Sequence, residues 1–265
     1  MINRHHTSII SEKAEIGSNV TIGPYCIINE NVKIGNNVNL KAHIYIDGDT
    51  TIGDNCNFFP YCSIGTTPQD LKYKGEKSIL KIGNNNTFRE YVTVNPGTEG
   101  GGLETIIGNN CLFMINAHVA HDCKIGNNVI MVNNASIAGH VTLEDYAIMG
   151  ALSGAHQFCR IGKHSMIGGL TGVDSDVIPY GTVTGNRAYL SGLNIIGLKR
   201  RGFSKDVIQD LRKAYGLLFS SQEGTLSDRV KEVSEVFIDN EPIQEIVHFL
   251  KSEKSRSICK PKNEN

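Results

Sequence analysis

Four histidines, an aspartate, a glutamine and a glycine in the middle of the chain are the residues whose types can do chemistry together. They fall in three short runs: MINAHVAHDC with His118, His121 and Asp122, IAGH with Gly139 and His140, and AHQF with His156 and Gln157. A neutral histidine beside a carboxylate can serve as a general base, because an ordinary pKa of about 6.5 leaves it mostly deprotonated at neutral pH. A neighbouring glycine amide can stabilise an oxyanion developing on a carbonyl. No serine or cysteine nucleophile accompanies them, so base plus oxyanion donor points to direct acyl transfer. The same histidines could instead hold zinc, but that reading leaves Gly139 and Gln157 without a role. A catalytically silent scaffold, with polar residues merely facing solvent at turns, has no need of the whole group.

These runs can cooperate only if the fold stacks them. Large apolar residues recur at every sixth position from Ile16 through Ile22, Ile28, Ile34, Leu40, Ile46, Ile52 and Phe58 to Ile64. A second series in a shifted phase runs from Ile107 through Phe113, Val119, Ile125, Met131, Ile137, Leu143, Met149, Ala155, Ile161 and Ile167 to Val173. Small or β-branched side chains lie two residues before each, as at Val20, Val32, Ala117 and Val141. A helix repeats near 3.6 and a strand near 2, so neither accounts for the period. It predicts a left-handed parallel β-helix of hexapeptide repeats, in which three flats make a coil and coils stack at about 4.8 Å. Residues one coil apart then form columns. His121, Gly139 and Gln157 share one, Asp122 and His140 the next, and His156 stacks over Ala138 and Ala120.

The hexads break at residues 65–81 and 95–106, which are expected to leave the coil as functional or mobile loops. Residues 1–190 are assigned to the β-helix domain and 191–265 to a small C-terminal helical domain that covers the open end of the stack. Ser204 is expected to cap its first helix, a second should cover 226–237, and Pro242 should open a third. The end, KSEKSRSICKPKNEN, is expected to be a flexible, solvated tail.

Lys and Arg total 26 against 27 Asp and Glu, which offers no basic footprint for nucleic acid. No apolar run approaches the roughly 20 residues of a membrane span, and the N-terminus lacks a signal-peptide core, so a cytoplasmic location is expected. Six of the seven cysteines, among them Cys26, Cys62, Cys123 and Cys159, occupy the small inward position. The same-column pairs Cys26 with Cys62 and Cys123 with Cys159 lie two coils apart, roughly 9.6 Å, beyond the ~7 Å reach of a disulfide. They are expected to be buried, reduced thiols.

With these features assembled, QDLKY (Gln69 to Tyr73), MINAHVAHDC, NNASIAGHV, AHQFCRIG and GLKRRGF (Gly197 to Phe203) make the chain resemble the UDP-N-acetylglucosamine 3-O-acyltransferase family of lipid A synthesis over essentially its whole length. The resemblance implies a homotrimer with active sites in clefts between neighbouring β-helices and no metal or cofactor. It also implies transfer of a 3-hydroxyacyl chain from acyl carrier protein to the 3-hydroxyl of UDP-N-acetylglucosamine. Carried over by motif, His121 would be the general base, Asp122 its orienting partner and Gly139 the oxyanion amide. Asp70, His140 and Gln157 would contact the sugar, while His118 and His156 would line the cleft. Lys72, Arg200 and Arg201 would lie near the diphosphate and carrier, where Arg suits phosphate through its planar fork, and Asn194 near the nucleotide. Gly169 falls where the family measures acyl length, and its missing side chain implies an open pocket for a chain of about fourteen carbons. Two points stay open. The column count puts Asp122 beside His140, so which histidine it orients is unsettled. Asn95 and Ile196 depart from the family pattern, where His and, in some members, an acidic residue are found. N-acylation of a 3-amino sugar nucleotide is therefore a variant reading, and a zinc-dependent β-helical carbonic anhydrase the outside one.

Overall fold

Each hexad supplies one short strand, one corner and two inward side chains, and stacking them satisfies the strands that no single coil could pair. The computed structural model describes residues 2–220, 224–252 and 255–262. Residues up to about 190 form a left-handed parallel β-helix whose three faces are sheets of eleven, nine and eight strands. Register follows the eighteen-residue coil: Ile22 sits on Leu40, Leu40 on Phe58, and Ile125 on Leu143. Where loops intervene the stack continues unbroken, with Phe58 on Phe88 and Val94 on Val119. The loops are shorter than the hexad count suggests. Ile79–Ile82 and Glu104–Ile107 pair over four residues, so the excursions close at 78 and 103.

The inward column residues fill the prism. Ile22, Leu40, Ile46, Ile64, Val119 and Ile137 are buried, and each such side chain contributes about 1.5–3 kcal/mol. Phe58, Phe88 and Phe113 stack with ring centroids 4.6 and 4.7 Å apart, so the rings repeat at the strand spacing itself. All seven cysteines are buried and unpaired. Burial pushes the Cys62 and Cys123 thiols up to about 12, which leaves them as small apolar fillers rather than nucleophiles.

Corners turn through one residue in the left-handed region, a conformation that Asn tolerates best among residues with a side chain. Asn19, Asn37, Asn55, Asn110 and Asn128 occupy such positions. Asp122, His140 and Phe158 hold the equivalent place, with φ of 59°, 63° and 67°. Two candidate site residues are thus presented by a turn that the fold requires at every coil.

After the last coil, an antiparallel hairpin of Gly181–Thr184 with Tyr189–Leu193 leads to the helices, so the expected boundary at 190/191 falls inside its second strand. Among the described residues four helices follow: α1 (Ile195–Arg200), α2 (Lys205–Phe219), α3 (Leu226–Val236) and α4 (Glu241–Lys251). Ser204 caps α2 as expected, Thr225 and Asp228 form a capping box on α3, and Pro242 stands in the first turn of α4. Helix α1 went unassigned because six residues are too short for an apolar period. Leu211, Leu218, Val233 and Ile246 are buried on the last three helices and continue the core of the coil.

The C-terminal segment differs from expectation. Asp176 N–H donates to the Ser257 carbonyl at 2.7 Å, and Cys259 N–H returns a bond to the Asp176 carbonyl at 2.8 Å. Ile258 and Cys259 are buried, so this part of the supposed solvated tail is a packed edge on the last coil. Its charged flanks hid two apolar residues with a place to go. No helix among the described residues is long and apolar enough to cross a membrane.

Candidate active site

Asp122 is the most heavily held group of the site. Its carboxylate accepts from Thr98 N–H at 2.9 Å and from the Thr98 hydroxyl at 2.6 Å, while its own N–H donates to Thr105 Oγ1 at 2.8 Å. Both threonines come from the second excursion and its returning strand, and the Asp122 side chain is fully buried. Gly101 lies so close above it that a Cβ there would collide with the carboxylate. The remaining bond goes to His121, whose Nδ1 stands 2.7 Å from Oδ2. A carboxylate accepts, so Nδ1 carries the proton and Nε2 keeps its lone pair. His140 Nδ1 is 3.9 Å from the same oxygen, too far for a hydrogen bond. Asp122 therefore bonds to His121 and not to His140. Thr98 escaped sequence reading because a threonine in a loop carries no periodic signal, and Thr105 because it fills an ordinary inward position two residues before Ile107.

The His121 ring lies over Gly139, where a Cβ would stand 2.6 Å from Nε2. Among the described residues the Gly139 N–H finds no protein acceptor. His140 stacks on Phe158 at 4.3 Å and meets the His121 ring edge-on at 5.1 Å. His118 pairs through Nδ1 with Thr93 Oγ1 at 2.7 Å. Burial lowers the pKa of both His118 and His140 from the usual imidazole value, so both are neutral at neutral pH. The ligand atoms of His121, Asp122 and His140 lie within 4.8 Å of one another. Both Asp122 oxygens are already engaged by Thr98 and His121, so the carboxylate is arranged to hold an imidazole rather than to meet a cation.

These groups open onto a groove of about 1010 Å³ that also takes in His156, Gln157, Asp70 and Lys72. Asp70 and Lys72 reach it from the first excursion, where Asp70 Oδ1 accepts from Lys72 N–H at 2.9 Å. Asn95, buried at the base of that excursion, donates to the Thr66 and Thr67 carbonyls at 3.0 and 3.3 Å. It anchors the loop and does not line the groove. Ser136, Gly154 and Gly172, stacked on one column of the second sheet, continue the groove along the helix axis.

Asn194, Arg200, Arg201 and Gly169 do not line the groove of a single chain. Asn194 caps α1, accepting from Gly197 N–H and donating to the His164 carbonyl. Arg200 ends that helix, and exposed Ile196 lies within it. Arg201 lies over the Tyr146 ring and donates to the Tyr146 carbonyl at 3.0 Å, leaving Nη1 buried and, among the described residues, without a protein partner. Gly169 sits on an exposed corner, where a Cβ would meet only the Ala151 carbonyl at 3.3 Å.

Residues 176–259 match the family described as UDP N-acetylglucosamine O-acyltransferase, domain 2, and residues 13–48 and 104–139 match bacterial transferase hexapeptide (six repeats). The acyl-[acyl-carrier-protein]--UDP-N-acetylglucosamine O-acyltransferase of Aliarcobacter butzleri is 47% identical over 253 residues, 94% of this chain and 95% of its own. The chain belongs to the UDP-N-acetylglucosamine O-acyltransferase family. Its fold is that of the solved UDP-N-acetylglucosamine acyltransferase from Francisella novicida, 37% identical, with a TM-score of 0.94 over 99% of this chain and 95% of that one. The enzyme from Campylobacter jejuni is 39% identical, with a TM-score of 0.92 over 99% of this chain and all of the other. As a member of this acyltransferase family the chain is an enzyme, which removes the silent-scaffold and carbonic anhydrase alternatives.

Proposed function

We propose that the chain transfers a 3-hydroxyacyl group from acyl carrier protein to the 3-hydroxyl of UDP-N-acetylglucosamine, the first step of lipid A synthesis, in the cytoplasm. The observation that carries this reading is the Asp122–His121–Gly139 alignment, joined to relatives named for that reaction. His121 Nε2 takes the proton of the sugar hydroxyl as its oxygen attacks the acyl carbonyl. Asp122 keeps the imidazole in the required tautomer and stabilises the imidazolium that forms. The Gly139 N–H receives the oxyanion, and the intermediate collapses with departure of the carrier as the proton passes to it from His121.

Asp70, His140 and Gln157 contact the sugar in this reading, with His118 and His156 along the walls and Lys72 toward the diphosphate. Asn194, Arg200 and Arg201 lie outside one chain's groove, so a neighbouring copy in a homotrimer supplies them to the nucleotide and carrier. Gly169 bounds the acyl chain at such a junction and admits one of about fourteen carbons, having no side chain to shorten the pocket.

The test is mass spectrometry of the product formed from carrier loaded with mixed 3-hydroxyacyl chains, with UDP-N-acetylglucosamine and its 3-amino analogue in competition. An ester on the natural sugar is the expected product. A predominant amide would favour N-acylation, and no transfer to either sugar would overturn the reading.

A further inference from the structure

Arg256 stands a hundred residues from His156 in sequence and touches it in space. Its Nη2 is 2.6 Å from His156 Nδ1, and its Nε donates to the Gln157 carbonyl at 3.0 Å. The segment that carries it is tied to the last coil through Ser257 and Cys259, and Leu190 N–H donates to the Lys260 carbonyl at 2.9 Å. Arg256 is thus delivered to the rim of the groove by a built edge.

A guanidinium has donors only, so His156 Nδ1 must accept. The Gln157 carbonyl, 3.4 Å from the same nitrogen, is already taken by Arg256 Nε. The proton of the neutral ring therefore sits on Nε2. We infer that Arg256 is a positioning residue, which locks His156 as an Nε2–H donor and braces the His156–Gln157 corner of the groove. This rests on the groove being the sugar-nucleotide site proposed above. A donor at His156 suits a hydroxyl or phosphate oxygen of that substrate, and leaves base work to His121, whose Nδ1 is turned to Asp122.

The experiment compares Arg256→Met, Arg256→Lys, His156→Ala and the double variant, with UDP-N-acetylglucosamine as the varied substrate. Arg256→Met should raise KM about tenfold, the scale of one charge-assisted hydrogen bond, with kcat changed less than about threefold. Arg256→Lys should recover part of the loss. The double variant should lose less than the sum of the two single losses, since Arg256 acts largely through His156. Additive losses, or a KM for Arg256→Met within twofold of the parent, would overturn the assignment. A second readout needs no substrate. Histidine-selective ¹⁵N NMR should show an unprotonated His156 Nδ1 in the parent and mixed tautomers in Arg256→Met, and identical spectra would also overturn it. If the tautomer shifts as expected while the parent acylates neither sugar, the positioning role stands and the proposed reaction falls.

Discussion

The imidazole of His121 occupies the space that a side chain at Gly139 would need, with a Cβ there only 2.6 Å from Nε2 and 3.0 Å from Nδ1. Gly139 is held at a backbone angle that alanine also adopts, so the conflict is with the ring alone. Gly139→Ala should cut kcat by about 10²-fold, approaching the loss for His121→Ala, which removes a base typically worth about 10²- to 10⁴-fold. Both proteins should melt cooperatively by circular dichroism. Activity of His121→Ala within threefold of the parent would refute the base assignment.

Thr98 fixes the carboxylate that holds His121, the proposed base. Thr98→Val keeps the shape and the backbone bond but removes the 2.6 Å hydroxyl contact to Asp122. A hydrogen bond to a buried charge is worth about 1.5–3 kcal/mol, so kcat should fall about tenfold or more. Steady-state kinetics with both substrates saturating checks this, and an unchanged kcat would mean that His121 and the Thr98 backbone hold Asp122 unaided.

His121 and Arg201 lie on different parts of one chain, Arg201 against Tyr146 and His121 in the groove. If a site draws on two copies, mixing inactive His121→Ala subunits with inactive Arg201→Ala subunits should restore some activity, because some clefts then carry both intact groups. Mixed assemblies confirmed by native mass spectrometry yet without activity would place each site within one subunit.

Gly169→Met adds a side chain to an exposed corner, where in the single chain its Cβ would press on the Ala151 carbonyl at 3.3 Å. At the end of an acyl pocket it would exclude terminal methylenes, each worth about 0.8 kcal/mol, with overpacking adding roughly 1–3 kcal/mol. Activity on a fourteen-carbon donor should drop by about 10²-fold while a ten-carbon donor is retained or improved. Parallel losses on both donors would reduce Gly169 to a turn residue.

His164, sandwiched between Tyr146 and Tyr180, is held down to about 4, first by burial and then by Arg201 and Lys163. The unfolded chain takes up the proton near the ordinary imidazole value of about 6.5, whereas the folded chain resists until about 4. Its contribution to stability is therefore complete above about pH 6.5, declines as pH falls and is exhausted below about 4. His164→Asn suits the left-handed corner at φ 56° and should flatten the fall of Tm across that window relative to the parent. Parallel Tm profiles for the two proteins would contradict this.

The coil and its columns were legible in the sequence because a six-residue period acts locally: every hexad repeats the same strand, corner and inward pair. Column arithmetic alone brought His121 to Gly139 and Asp122 to His140, and the family motifs added the roles. Only the tertiary structure decided that Asp122 holds His121 instead of His140, since 2.7 Å against 3.9 Å depends on side-chain rotation that spacing does not encode. It also brought in Thr98 from an excursion without periodicity, and made Asn95 a loop anchor. Arg256 is the clearest case. Its run reads as a charged tail, and its role exists only because Ile258 and Cys259 find a buried edge on the last coil that no local pattern announces.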